Sequence, residues 1–513
     1  MTTTSPQGEH LGPPTRDRVS IRLETEDDVP PPTSSGPQPG PMAVFVVLGA
    51  IVIGLAAALG FQALSPDTPF VILGGTVLTA MVLAIIGLYR YSWFLLITLA
   101  VRPALDDLIA DEFGTFQPSA ILGILVILIS LLHLISRKVT GNWNKITPLG
   151  ITFICFFLLF VPSFITSIDR GVSQGAMFGL ASVVLLYLAM EQHLLEDGRY
   201  LWKLLAASGV GMIVPIVTGF VQFFFTGTLD PGGSGLVRID GSFAHPNSYA
   251  TYLSFAVLLA ISIIPTVEVK KKLVVLSAAC LGGFLLIATF ARGAWASFLI
   301  GALVMAARIN KKLVIVIMVG AFAVAAAVPG VGDRLSNLTA TTGANGGVKT
   351  DDSLGWRIGY WDKVAPFFWD NPVSGLGIDA TKTRTIEAKD PHNSFLQAFI
   401  EGGVLGGMAF ISLLGVASYA GWKTWKKARR GVLDHQTTLI SVGAIAALLS
   451  VAAQLITENV LLNTIVWWYL NIAFAHLAVL TWGAKKIIPP EEPNYDLLQL
   501  GSGAPQSPTE RTS

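Results

Sequence analysis

The sequence predicts an all-α integral membrane protein with about 12–14 transmembrane helices and one large outer loop that carries a surface helix. Three observations lead there. The 513 residues are 52% hydrophobic and only 13% charged, whereas charged residues make up about a quarter of an ordinary globular domain. The mean hydropathy is +0.62. Apolar runs of about 20 residues, each long enough to cross roughly 30 Å of hydrocarbon as a helix, recur along most of the chain. A net charge of +1 offers no electrostatic footprint for nucleic acid.

Taken in order, residues 1–41 combine Pro, Ser, Thr and Gly with mixed charge, as in "DDVPPPTSSGPQPGP", and read as a disordered cytoplasmic tail. No basic start followed by a short apolar core marks them as a signal peptide. The polytopic membrane domain follows over 42–485, and 486–513 form a second polar cytoplasmic tail. Within the domain, the apolar runs are 43–64, 70–88, 92–104, 118–136, 147–167, 173–190, 203–226, 247–265, 272–290, 293–308, 312–329, 394–420, 437–457 and 461–483. The third is short for a span. Cys155 and Cys280 each fall inside an apolar run and read as small core residues rather than as a disulfide.

The loops test this order independently. "SRKVTGNWNK" (136–145), "VEVKKK" (267–272), "ARINKK" (307–312) and "GWKTWKKARRG" (421–431) are basic and fall on one side, as cytoplasmic loops should. The acidic "DDLIADEF" (106–113) falls on the other, with 226–247 and the long outer loop 330–393. Both termini are then cytoplasmic. In the outer loop, Trp356, Tyr360, Val364 and Phe367 recur at helical spacing, so a helix is expected to lie along the membrane with this face in the headgroups. Pro372 ends it, and "SGLG" (374–377) makes a turn.

Polar residues near the outer ends of spans need separate reasons. In "DPHNSFLQAFIEGG" (390–403), Asn393 or Ser394 caps a span, and Asn393, Gln397 and Glu401 follow on one helical face. At about 1.5 Å per residue, Glu401 lies roughly 13 Å deeper than His392 and on nearly the opposite side. An intramembrane carboxylate is a functional candidate, and equally a hydrogen-bonded tie between helices. His392, at the wet mouth, can exchange protons. No HExxH or paired His/Cys spacing accompanies it, so no metal site is expected. Arg238, Arg292 and Arg357 all fall outside, against the positive-inside bias. They can pair with Asp240, Asp352 or lipid phosphate, or their planar forks can grip a diphosphate. "HPN" (245–247), with Asn247, opens the next span.

Four segments carry a resemblance: "RIDGSFAHPNSYATYLSF" (238–255), "TFARGAWASFLIGAL" (289–303), "RIGYWDKVAPFFWDNPVSGLGI" (357–378) and "HNSFLQAFIEGGVLGG" (392–407). In this order they resemble the O-antigen ligase / O-antigen polymerase superfamily of polytopic membrane glycosyltransferases, over about residues 150–480. The resemblance implies a bacterial cytoplasmic (inner) membrane enzyme working at the outer face. Its donor would be a polyprenyl-diphosphate-linked glycan, and its acceptor a hydroxyl of a glycan, lipid or protein, with no cofactor or metal. It further implies that Arg238 and Arg292, with Arg357 beside them, engage the donor diphosphate. His392 would deprotonate the acceptor, and Asn247, Asn393, Gln397 and Glu401 would support the site.

Three alternatives stay open on sequence. One is a polymerase of lipid-linked repeat units. Another is a transporter or flippase of lipid-linked glycans, which would show repeat-related halves and polar residues along the spans. The third is a polyprenyl-phosphate-sugar transferase, for which Asp106 and Asp107 would supply an acidic pair in the first outer loop.

Overall fold

The computed structural model describes residues 69–106, 118–226, 238–309, 354–386 and 388–483, with 312, 315, 318 and 319. The expected tails 1–41 and 486–513, the span 43–64, most of 312–329 and the first part of the outer loop lie outside the described residues. Residues Thr76–Ser513 form one compact unit, described here; of the Met1–Gly75 unit, only the first residues of one helix are described.

The described residues are helical and contain no strand. In chain order the helices are α1 (Pro69–Tyr89), α2 (Tyr91–Val101), α3 (Pro118–Val139), α4 (Pro148–Ile165) and α5 (Arg170–Glu196). Next come α6 (Tyr200–Gly211), α7 (Ile213–Val221), α8 (Pro246–Ile263), α9 (Val269–Ala288) and α10 (Arg292–Ile309). The last are α11 (Leu354–Val364), the single turn α12 (Thr381–Arg384), α13 (Ser394–Arg429), α14 (His435–Gln454) and α15 (Thr464–Trp482). Among the described residues, ten helices are long and apolar enough to cross a membrane, α6 and α7 acting as one through Phe225. The protein is an all-α, multi-pass membrane protein. The expected span at 92–104 is α2, whose 11 residues reach only about 16 Å, so it does not cross.

Local chemistry sets the helix starts. Thr147 accepts from the Gly150 N–H with Pro148 at the first helical position of α4. Asp169 accepts from Gly171 and Val172 at the start of α5, Asp434 from Thr437 at α14, and Asn463 from Val466 at α15. These caps satisfy N–H groups that a helix entering hydrocarbon would otherwise leave bare.

α15 is the central helix. Of its most apolar stretch 89% is buried, against about a third for α3, α4, α9 and α10, which leave one face to lipid. It packs on α5, α13 and α14. Its polar residues find partners inside the bundle: Asn471 donates to the Val183 carbonyl at 2.9 Å, and His476 meets Ser441 at 3.0 Å. Cys155 and Cys280 were expected in the core, but both are exposed on the bundle's outer surface. A cysteine is apolar enough for lipid, so an apolar run does not reveal which way it faces.

The basic segments gather at one end, where Arg308 donates to the Ala428 carbonyl and Gln436 to the Thr266 carbonyl. Helix alternation then brings the starts of α8, α10, α13 and α15 together at the other end.

Candidate functional site

α13 is broken near its start, at Gly403, whose φ of 60° and ψ of −160° are not helical. The break strands backbone groups of the helix, and the hairpin before α12 satisfies them. Leu376 N–H donates to the Ile400 carbonyl at 3.0 Å and Gly377 N–H to Glu401 at 3.2 Å. In return Val404 N–H donates to the Pro372 carbonyl at 2.8 Å and Leu405 N–H to Val373 at 3.3 Å. Residues 372–377 thus dock as a turn against a kinked helix, where any unpaired backbone group would be costly. Both sides need glycine here. A Cβ on Gly403 would stand 2.3 Å from the Val373 oxygen, and one on Gly375 (φ +74°) 2.2 Å from the Glu401 oxygen.

Glu401 belongs to this joint. Its carboxylate is fully buried and accepts from the Asp379 N–H at 2.8 Å and the Thr381 N–H at 3.4 Å. The expected tie to a neighbouring span is therefore a tie to the α12 loop. The depth expectation also changes: Asp379, Asp390 and Glu401 each present an oxygen within 4.8 Å of the others. The chain ahead of α13 folds back along it through left-handed residues at Ala388 (φ 49°) and His392 (φ 49°). Lys382 binds Asp379 at 2.8 Å. Burial, reinforced by Asp390 and opposed by Lys382, pushes the Asp379 carboxyl up to about 6. Burial raises Asp390 as well, against the opposing pull of Lys382 and His392.

The surface helix α11 is present, but its aromatic face does not lie in headgroups. Tyr360 and Val364 are buried against Leu376 and Ile400, with Trp356 and Phe367 partly buried beside them. Periodicity showed an apolar face and could not say that the docked hairpin would cover it. Tyr360 O–H donates to the Lys389 carbonyl and Trp361 Nε1–H to the Pro391 carbonyl, each at 2.6 Å. These two bonds fix the segment leading into His392.

Glu458, between α14 and α15, is the centre of the site. Arg357 donates to its Oε1 at 3.2 Å, Asn247 Nδ2 donates to its Oε2 at 2.9 Å, and His392 Nδ1 faces the same oxygen at 3.7 Å. Arg238 joins through Asn247 Oδ1 at 2.9 Å and through the Thr289 carbonyl at 3.1 Å. Arg357 also reaches the Thr457 carbonyl at 2.6 Å. The expected partner Asp240 instead accepts from Gln222 at 2.7 Å. Asp352, the other expected partner, lies outside the described residues. Arg292 opens α10 half-buried. Its neighbour Gly293 lies against the same loop, an added Cβ there meeting Thr457 Oγ1 at 3.0 Å. Asn393 caps α13 by accepting from Phe395 and Leu396 at 3.1 and 3.0 Å. Ser394 donates to the Glu458 carbonyl at 2.7 Å and so pins the α13 start to the Glu458 loop.

These groups border a polar cavity of about 620 Å³. Its lining includes His392, Asn247, Glu458, Gln397, Asp379, Lys382 and Asp390. Arg238 and Arg357 are bonded to lining residues, Asn247 and Glu458 respectively, without being part of the lining themselves. Asp106 also lines the cavity and pairs with the buried Arg102 at 3.4 Å, while Asp107 lies outside the described residues.

Glu458 was missed by the sequence reading. The available signal was a single carboxylate in the short loop between the last two spans, on the side that carries three arginines and His392.

The fold and cavity define a class: a polytopic, all-helical membrane protein with a charged pocket at one end of its helix bundle. Residues 273–411 match the family model Wzy_C, described as O-Antigen ligase, so this part of the chain is similar to the O-antigen ligase superfamily. The matched region contains Arg292, Arg357, His392 and Glu401 and excludes Arg238, Asn247 and Glu458. No curated protein matches the chain. The match supports a ligase- or polymerase-type function in polysaccharide biosynthesis.

Proposed function

We propose that the protein transfers a glycan from a polyprenyl-diphosphate-linked donor to an acceptor hydroxyl, without a metal, at the outer face of the bacterial cytoplasmic membrane. The observation that supports this most is the convergence of His392, Glu458 and Asn247 on one cavity, with Arg238 and Arg357 bonded into the same cluster. In the reaction the acceptor oxygen attacks the anomeric carbon, and the bond from that carbon to the diphosphate oxygen breaks. The electron pair leaves on the diphosphate and the acceptor's proton passes to His392. The products are a glycoside and polyprenyl diphosphate. Attack opposite the leaving group inverts the anomeric centre.

Each group has a task. A diphosphate is already a good leaving group, so the step chiefly needs positive charge fixed where negative charge develops, which Arg238, Arg292 and Arg357 supply. The acceptor hydroxyl loses its proton reluctantly, so a base within reach lowers the barrier. His392 turns Nδ1 towards Glu458, at 3.7 Å, and Nε2 is the atom we assign as that base. Lys382 already neutralises part of the carboxylate group formed by Asp379, Asp390 and Glu401, which we read as structural.

The test is transfer in membranes supplied with a purified lipid-linked donor, normalised to protein amount. His392→Ala is expected to lower the rate by about 100-fold or more. Arg292→Lys keeps the charge but loses the fork, and should lower it by about tenfold or more. A His392→Ala protein that works near the wild-type rate would overturn the assignment.

A further inference from the structure

The apolar part of the bundle holds a second cavity. α10, α13, α14 and α15 leave a slot of about 350 Å³ between them, and apart from Ser418 its lining is apolar. α15 forms the back wall with Trp467, Leu470, Phe474 and Leu477, all buried. Two lining residues, Trp422 of α13 and Leu449 of α14, are 49% and 42% exposed, so the slot opens on the bundle's flank. In a spanning bundle that flank faces the bilayer. Gly421 makes part of the room: an added Cβ would meet Ile445 only at 3.7 Å and Leu477 at 4.0 Å.

Cations stand beside this slot. Lys426 Nζ lies 3.6 Å from the centre of the Trp422 ring, and Lys423 Nζ 5.7 Å from it. Arg308 follows the lining residue Val304 by one turn of α10 and donates to the Ala428 carbonyl of α13 at 3.1 Å. Arg429 and Arg430 are exposed beyond them. Among the described residues, no carboxylate pairs with any of these five. Asp434, the carboxylate of the loop that follows, caps α14 through the Thr437 N–H at 2.8 Å.

An apolar slot open to lipid, with a rim of uncompensated cations, suits one kind of molecule. A neutral lipid or a prenyl chain would fill the slot and leave the rim charged. A soluble anion would meet the rim and leave the apolar walls uncovered. A phospholipid with an anionic headgroup does both, its acyl chain along the walls and its phosphate among lysine and arginine.

We propose that the slot between α13 and α14 binds an anionic phospholipid, its acyl chain against α15 and its headgroup held by Lys423, Lys426 and Arg308. The lipid comes from the leaflet at the basic end of the bundle, the cytoplasmic one by the charge bias of the loops. It ties the last turns of α13 to α10 and α14. The site stands apart from His392 and Glu458, and it does not rest on the transferase reading.

The experiment uses the full-length protein, delipidated in detergent, with no donor or acceptor present. Dioleoyl phosphatidylglycerol and dioleoyl phosphatidylcholine are titrated separately, with binding read by native mass spectrometry and by melting temperature. Phosphatidylglycerol should bind about tenfold more tightly and raise the melting temperature, and its advantage should shrink as salt screens the rim. Lys423→Gln combined with Lys426→Gln should cut phosphatidylglycerol affinity about tenfold and leave phosphatidylcholine within about twofold. Lys427, Arg429 and Arg430 remain in that variant to keep the segment's orientation. Gly421→Leu fills the slot with the rim intact and should also weaken phosphatidylglycerol binding. Leu449→Trp, which narrows the slot at its exposed mouth, repeats that test should Gly421→Leu not fold. Equal affinity for the two lipids, or a lysine variant that binds phosphatidylglycerol as wild type does, would refute the anionic site. Unchanged binding in the slot variants would refute the seat of the acyl chain. Displacement of the bound phosphatidylglycerol by a polyprenyl diphosphate would overturn the proposal and give the slot to a prenyl chain.

Discussion

Glu458 illustrates how one side chain organises a site that its neighbours only suggest. It is about one-tenth exposed and takes hydrogen bonds from Arg357 and Asn247 while facing His392. Breaking such a buried pair by removing one charge costs about 3–5 kcal/mol, because the partner is left uncompensated. Glu458→Gln, which keeps the shape, should lower the melting temperature and slow transfer at least tenfold. Adding Arg357→Met removes the stranded charge, so the double variant should regain stability but not rate. Recovery of both would make Glu458 a packing element only. His392, Arg238 and Arg357, which meet around Glu458 and Asn247, could be singled out in the sequence because charge at the end of a span is unusual. Glu458 was not, because one carboxylate in a short polar turn looks like any solvated loop residue. The partners expected for the arginines were also the nearest in sequence, whereas the bundle supplies one more than 100 positions away from Arg357.

At the scale of elements, the joint between α13 and residues 372–377 holds Asp379, a lining residue of the cavity, against Glu401. The sequence showed its ingredients: a capped span at Asn393, a turn at "SGLG", a face of aromatic residues before it. It did not show that the turn would enter the broken helix, because the pairing of Leu376 and Gly377 with Ile400 and Glu401 joins backbones and leaves no side-chain pattern. Glu401 could therefore be seen as buried and not as the residue that accepts from the Asp379 and Thr381 backbone. Gly403→Ala tests the joint. An L-residue at that φ and ψ, a region open essentially to glycine alone, costs about 1–3 kcal/mol on its own, and the added carbon collides with the Val373 backbone at 2.3–2.4 Å. The hairpin should be expelled, lowering the amount of folded protein and raising protease cleavage between 371 and 386. Glu401→Leu should do the same, whereas Glu401→Gln, still able to accept one N–H bond, should be milder. Wild-type protease resistance in Gly403→Ala would mean that the hairpin does not depend on the break.

For the whole molecule, hydropathy gave the class and most spans, since lipid imposes length and apolarity on each crossing. It overcounted where an 11-residue apolar helix, α2, packs on α6 without crossing. Orientation rests on a separate argument. Basic residues cluster at the end of the bundle away from the cavity, with Arg308 and Gln436 bonded across neighbouring loops there. Positively charged loops are retained in the cytoplasm, so the cavity should face outward, where a lipid-linked donor presented at the outer leaflet could reach it. Ile386, fully exposed beside the cavity, and Val432, 65% exposed at the basic end, are suitable reporters. In a background with Cys155 and Cys280 replaced by serine, Ile386→Cys should react with an impermeant thiol reagent in intact cells. Val432→Cys should react only after permeabilisation. The opposite pattern would turn the cavity to the cytoplasm, where an outer-leaflet donor could not reach His392, and would end the proposed reaction while leaving the fold unchanged.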